Sequence, residues 1–283
     1  MKRRIHQVNE KESYFSVIFN GRLIFIYLTK RQRKRYLDYL ESGRFVTFRV
    51  SNKTKKIKQR RAYYLKTITK VERPTKGKTI VLYDFEKIKR EIVKVITSFD
   101  YYLFIDLEST MPHYYRKKFE AEIIQIGYYL TNKEFDVIKK QQYYLLPTKY
   151  PKISVRTFKF LNINDDVFKT AKPYQYFYRE LKELLATYQA KIVVWGRNDI
   201  LSLNRSYRIN NLKSITKRSD FINLLEIHKS YYDLTNDLGL FKAFQFYYGK
   251  NEIQEHDALQ DALILLEVFK GLKKTNYNAK KYS

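Results

Sequence analysis

The chain has 283 residues, enough for one large domain or two ordinary ones, and 44% of them are hydrophobic, ample for a core. The absence of cysteine excludes disulfides, thiolate zinc sites and a cysteine nucleophile, and it fits a reducing, cytoplasmic setting. The formal charge of +27, from 56 basic and 29 acidic residues, suits a polyanionic partner, nucleic acid before a membrane surface. No apolar run approaches the roughly eighteen residues of a membrane span. The basic start MKRRIHQVNEKESY has no apolar segment behind it, so no secretory signal is expected. Residues 1–100 hold 27 Lys and Arg against 9 Asp and Glu, so +18 of the charge lies in the first third.

That first third reads as β-rich. Residues 15–19 (FSVIF), Asn20-Gly21 and residues 23–28 (LIFIYL) predict a tight hairpin. A helix is expected over 30–41, with Leu37 and Leu40 on one side and Gly43 as its stop. Strands follow over 45–50 and 62–71. Between them, Lys53, Lys55, Lys56, Lys58, Arg60 and Arg61 form a run without an acid, read as a nucleic-acid-binding hairpin loop. The pattern suggests a small barrel of OB, cold-shock or SH3-like kind. Such barrels stack bases on surface aromatics, for which Phe45, Phe48, Tyr63 and Tyr64 are candidates. Phe45 and Phe48 are three apart, so at most one of them lines a groove. For any single one of these aromatics, a place in the core is the more ordinary role.

Pro, Thr, Lys and Gly cluster over 74–82, where a boundary is expected. An amphipathic helix over 84–99 follows, with Asp84 as its cap and Ile88, Ile92, Val95, Ile96 and Phe99 on one face. The organisation expected is a basic module over 1–80, a connecting helix over 81–100, an α/β domain over 101–275 and a basic tail over 276–283.

From residue 101 strands and helices alternate. Residues 101–110, YYLFIDLEST, read as a buried strand that turns acidic at its end, and Asp106 and Glu108, two apart, project to one side. Carboxylates forced together repel unless a cation lies between them, and oxygen donors suit Mg²⁺ or Mn²⁺. Strands over 122–130 and 135–146, joined by a short turn, make the sheet mixed. Strands over 191–195 and 219–224 complete five, with helices over 164–171, 173–188, from about 200, 225–232, 238–248 and 257–273. Asp199 follows Trp195-Gly196 at a strand end, where open α/β sheets build sites, although an N-cap is its ordinary role. Asp257 and Gln260 have capping-box spacing. His256 then lies outside the last helix, and only there can it share a site with Asp261 on the second turn.

These residues resemble the DnaQ-like 3′–5′ exonucleases of the DEDDh type. Asp106-Leu107-Glu108-Ser109-Thr110 resembles that family's first motif, Asp199 after Trp195-Gly196 its second, and His256-x4-Asp261 its third. The resemblance runs from 101 to 272. Residues 121–127 (AEIIQIG) and Leu146-Pro147, Pro151-Lys152-Ile153-Ser154 and Leu161-Asn162-Ile163 look most like the RNA-trimming, KapD-like branch, although Asn162 stands where that branch has Gly. The resemblance implies an RNase H-like mixed five-stranded sheet with flanking helices. It also implies two divalent ions, Mg²⁺ or Mn²⁺, on Asp106, Glu108, Asp199 and Asp261, with His256 as general base. Single-stranded RNA degraded from its 3′ end to nucleoside 5′-monophosphates is the expected reaction. A DNA proofreading or repair exonuclease is the alternative enzyme, and a catalytically silent nucleic-acid-binding regulator is the alternative outside enzymology. Retention of all five motif residues argues against the latter. His6, His113 and His228 lack such a context.

Overall fold

The basic start, which carries no strand signal, is itself a strand: β1 (Lys2–Asn9) buries only Ile5 and leaves its cations facing outward. It pairs antiparallel with β2 (Tyr14–Phe19), and β2 with β3 (Arg22–Tyr27). Asn20 (φ 48°) and Gly21 (φ 72°) make the expected tight turn, since both central residues of such a turn need positive φ. The helix expected over 30–41 is shorter. α1 (Lys30–Tyr36) begins in a capping box between Thr29 and Gln32 and gives way to a 3-10 turn, Leu37–Tyr39. β4 (Phe45–Ile57), β5 (Arg60–Thr75) and β6 (Lys78–Asp84) follow.

The strands run in the order β3-β2-β1-β4-β5, and β3 pairs again with β5 in parallel, closing a five-stranded barrel with β6 added on β5. This is an OB-type closure, with the helix between the third and fourth strands. Its interior holds Phe15, Val17, Ile26, Val46, Phe48, Ile68 and Val71. Two expectations change here. The basic run is a strand ribbon rather than a loop: Lys55 pairs with Ala62, Lys56 with Arg61 and Ile57 with Arg60. Phe48 is core, so it is no stacking residue. The segment at 74–82, where Pro, Thr, Lys and Gly cluster, lies in the β5–β6 hairpin, which turns at Gly77.

The structure, a computed structural model, describes residues 1–113, 119–234, 236–250 and 256–281, with side chains as far as 275. The basic tail expected over 276–283 therefore lies outside the described side chains. Contacts divide the chain into compact units of Met1–Glu91 and Ile92–Ser283. α2 (Phe85–Ile96) spans the division, with Asp84 Oδ1 accepting from the Lys87 amide at 3.0 Å as the expected cap. Its buried stripe agrees in part with the expected one: Ile96 is core and Phe99 packs against that core, but Val93 is core as well, whereas Ile88 and Val95 are exposed.

The second unit is a mixed sheet. β7 (Tyr101–Ser109), β8 (Ile123–Asn132) and β9 (Val137–Leu146) pair antiparallel in turn. α3 (Val155–Leu161) ends at Asn162, whose φ of 51° is left-handed. Asn tolerates that region better than other side chains, which explains how it stands where the resembling branch has Gly. β10 (Lys172–Pro173), a two-residue edge strand absent from the sequence reading, leads into α4 (Tyr174–Tyr188). β11 (Lys191–Val194), α5 (Asn198–Ile209), β12 (Phe221–Asn223), α6 (Leu224–Tyr232), α7 (Leu240–Tyr248) and α8 (Ala258–Lys281) complete it. The sheet order is β10-β9-β8-β7-β11-β12, so the expected five strands are joined by β10.

β7 is covered on both faces, which is why its sequence is a continuous apolar run. Leu103 and Ile105 pack with Phe177 and Leu181 of α4 and Leu203 of α5. Tyr102 and Phe104 pack with Phe244 of α7 and Leu265 and Phe269 of α8. Among the described residues no helix is long and apolar enough to cross a membrane.

Candidate active site

β7 delivers the first two carboxylates. Alternation along the strand turns Asp106 and Glu108 to the side of Tyr102 and Phe104, the side of α8. Across the ladder Asp106 faces Gly127 and Glu108 faces Gln125. Thr110, the last residue of the motif, secures the end of the strand. Its Oγ1 accepts from the Glu122 amide at 2.9 Å, and its own amide donates to the Glu122 carbonyl at 2.8 Å. Glu122 in turn accepts from the amides of Thr148, Lys149 and Tyr150, fixing the segment after β9.

Asp199 is buried at the start of α5, where it is held by the Leu107 amide and its own. Asp261 is buried on the first turn of α8. Asp257 is the helix cap that its spacing implies: its Oδ1 accepts from the Gln260 amide at 2.9 Å. His256 lies just outside the helix with φ 55°, and its ring stacks on Phe160 of α3, the centroids 4.1 Å apart.

The electrostatics show that these carboxylates share one site. Burial and then the charges of Asp199, Glu108 and Asp261 hold the Asp106 carboxyl well above the usual range. Burial, with Asp261 and Asp199 adding, pushes Glu108 up to about 8. Asp199 rises to about 7 mainly through burial, although backbone amides stabilise its charged form. Charged oxygens gathered away from water need a counter-charge. Donor atoms of Glu108, His256 and Asp261 lie within 4.8 Å of one another, a spacing that fits a cation. Oxygen donors with one imidazole suit a hard divalent ion.

Two residues of the 121–127 segment, neither of them expected at the site, complete it. Gln125, 2% exposed, donates from Nε2 to Asp257 Oδ2 at 3.1 Å and accepts from the Ala258 amide at 3.5 Å. Gly127 lets the helix start approach, because a Cβ there would lie 2.1 Å from the Ala258 carbonyl carbon. The structure therefore brings together Asp106, Glu108, Asp199, His256 and Asp261. Lys53, Lys55, Lys56, Lys58, Arg60 and Arg61 lie on the ribbon of the first unit, all exposed.

An RNase H-like sheet with this set of groups is that of a DEDDh nuclease. Residues 103–269 match the exonuclease (RNase T) family, and the chain belongs to it. The probable 3′–5′ exonuclease KapD of Bacillus subtilis (strain 168) is 29% identical over 170 residues, 59% of this chain and 82% of that protein. The fold is similar to that of the nuclease domain of 3′hExo, a DEDDh family member bound to rAMP. There the TM-score is 0.53 at 18% identity, covering 60% of this chain and 90% of that one. A 3′-exonuclease solved in a study of histone mRNA stem-loop recognition gives 0.54 at 18% identity over 62% of this chain. This chain spans 65% of that one.

Proposed function

We propose that the chain is a metal-dependent exonuclease that degrades single-stranded RNA, in preference to DNA, from a free 3′-OH end to nucleoside 5′-monophosphates. The observation that carries this reading is the convergence of four carboxylates and His256 in one desolvated cluster. The RNA preference is supported by the segments around Gln125 and Ser154 that look like the RNA-trimming branch.

Asp106, Glu108, Asp199 and Asp261 would hold two divalent cations, Mg²⁺ or Mn²⁺. When bound, such ions lower the pKa of a water and stabilise charge on the leaving oxygen. His256 takes the proton of the attacking water, a role suited to an imidazole near neutral pH. The new bond joins that oxygen to the phosphorus of the last linkage, and the bond to the 3′ oxygen of the penultimate nucleotide breaks. That oxygen is protonated, and the 5′-phosphate leaves with the terminal nucleotide. In the first unit, Lys53, Lys55, Lys56, Lys58, Arg60 and Arg61 would neutralise phosphates irrespective of sequence.

Matched 5′-labelled RNA and DNA single strands, with Mn²⁺, Mg²⁺ or EDTA, test the reading. Laddered shortening of RNA from its 3′ end, abolished by EDTA, is expected. Faster loss of the DNA strand would overturn the RNA preference. Asp106→Asn should lower the rate at least ~10²-fold, the scale of lost charge stabilisation, and near-normal turnover at saturating Mn²⁺ would overturn the site assignment.

A further inference from the structure

The barrel carries a further group of partly exposed aromatics, which rests on the buried Tyr14. Phe25 and Tyr27 of β3 alternate with the core residue Ile26 and so face outward. Tyr14 lies beneath Phe25, edge-on with centroids 5.3 Å apart. Tyr64 of β5 stands opposite Tyr27 in the parallel ladder, also edge-on at 5.3 Å. Phe25, Tyr27 and Tyr64 are each only partly buried.

The ribbon of β4 and β5 lays cations on these rings. Lys55 Nζ lies 4.0 Å from the Tyr27 centroid, and the Arg60 guanidinium 5.1 Å from that of Phe25. Arg60 is further held by the Tyr14 hydroxyl, to which its Nη1 donates at 2.9 Å. Both cations are exposed, so their aromatic contacts are of the weak kind. A solvated basic face would not need rings under its charges, and a closed core would not leave them open. The surrounding charge is strongly positive, since residues 1–100 carry +18.

We propose that this face, built on Tyr27 and Tyr64 with Phe25 beside them, is a stacking platform for a single-stranded nucleic acid. A base displaces Lys55 or Arg60 from its ring, and the displaced cation pairs with the adjoining phosphate. Each exchange gives up a weak cation–ring contact and a hydrogen bond, that of Arg60 to the Tyr14 hydroxyl or of Lys55 to Tyr27, for base stacking and a charge pair. The platform deepens the nucleic-acid reading of the first unit and is independent of the hydrolytic site. It also separates two parts of the affinity, a salt-sensitive part from the cations and a salt-resistant part from the rings.

The test is binding of a labelled oligouridylate by the full-length protein in EDTA, across several salt concentrations, so that hydrolysis plays no part. Tyr27→Leu with Tyr64→Leu should weaken binding by about tenfold or more, on the scale of base stacking, while leaving the salt slope unchanged. Tyr27→Phe with Tyr64→Phe should bind like the parent. Lys55→Gln with Arg60→Gln should instead flatten the log–log slope by about 0.7 per lost contact. Parental affinity in the folded leucine variant would overturn the platform. Photocross-linking of a bromouridine strand to the unmutated protein decides the matter even if that variant misfolds. Adducts at Tyr27, Tyr64 or Phe25 support the platform, and adducts confined to other surfaces overturn it. Failure of the hydrolysis assay with these binding results intact would strike the proposed catalysis alone.

Discussion

The backbone of Ala258 occupies the space that a side chain on Gly127 would need, with the Ala258 carbonyl carbon 2.1 Å from the position of a Cβ. Gly127 also faces Asp106 across the β7–β8 ladder. One glycine thus sets how closely the helix bearing Asp261 approaches the strand bearing Asp106 and Glu108. Gly127→Ala should push the start of α8 away and cost about 1–3 kcal/mol, the usual range for overpacking. Hydrolysis should fall by more than the loss of folded protein explains. Urea unfolding and kcat on the same preparation check this, and a variant with parental kcat would show that the close approach is only packing.

Gln125 acts on the same junction by hydrogen bonding. It ties the Asp257 carboxylate and the Ala258 amide to β8 beside Glu108. Gln125→Leu should leave the carboxylates in place but loosen the helix start. A loss of about 10- to 100-fold in activity or metal affinity is expected, the scale seen when groups behind a metal's ligands are removed. Isothermal titration with Mn²⁺ beside a rate measurement checks it. Unchanged values in both would leave Gln125 a purely structural residue.

Much of this site was legible in the sequence because each signal was local. Alternation along a strand put Asp106 and Glu108 on one side, and capping spacing at Asp257 and Gln260 placed His256 off the helix. The parts that were not legible depend on neighbours distant in sequence. Gln125 and Gly127 stand in the 121–127 segment that carries part of the resemblance, but their roles appear only when α8 lies against the glycine and Asp257 meets the glutamine. β1 escaped because a barrel strand facing solvent needs only Ile5 inside, leaving no apolar alternation to detect. The cationic ribbon escaped for a related reason: its residues are held by ladder pairing rather than burial, so composition resembles a loop.

His228 gives the fold a titratable weak point. It is 1% exposed, neither ring nitrogen has a hydrogen-bond partner among the described residues, and its neighbours Trp195, Tyr232, Phe246 and Tyr247 are uncharged. Burial lowers its pKa from 6.5 to about 4. Between those values the unfolded chain binds a proton that the native state refuses, so stability falls as pH drops from about 6.5 towards 4. The full effect is about 3 kcal/mol. His228→Leu should remove this part of the acid sensitivity. Chemical unfolding at pH 7.5 and pH 5 measures it, and an identical pH dependence in the variant would refute the assignment.

The division of labour at His256 is open to a sharper test than loss of activity. Its ring stacks on Phe160 and lies near enough to Glu108 and Asp261 to be a ligand in its own right. As a general base it contributes to proton transfer and little to holding a cation, because four carboxylates supply the charge. His256→Ala should then hydrolyse about 10²- to 10⁴-fold more slowly while binding Mn²⁺ and a short oligonucleotide as the parent does. As a ligand, it would instead carry metal affinity down with the rate, and excess Mn²⁺ would restore much of the activity. Phe160→Leu distinguishes the two further, since freeing the ring should lower kcat if its orientation toward the water matters. Parallel measurement of Mn²⁺ affinity and kcat for both variants decides between the roles, and a collapse of Mn²⁺ affinity in His256→Ala would reassign His256 from base to ligand.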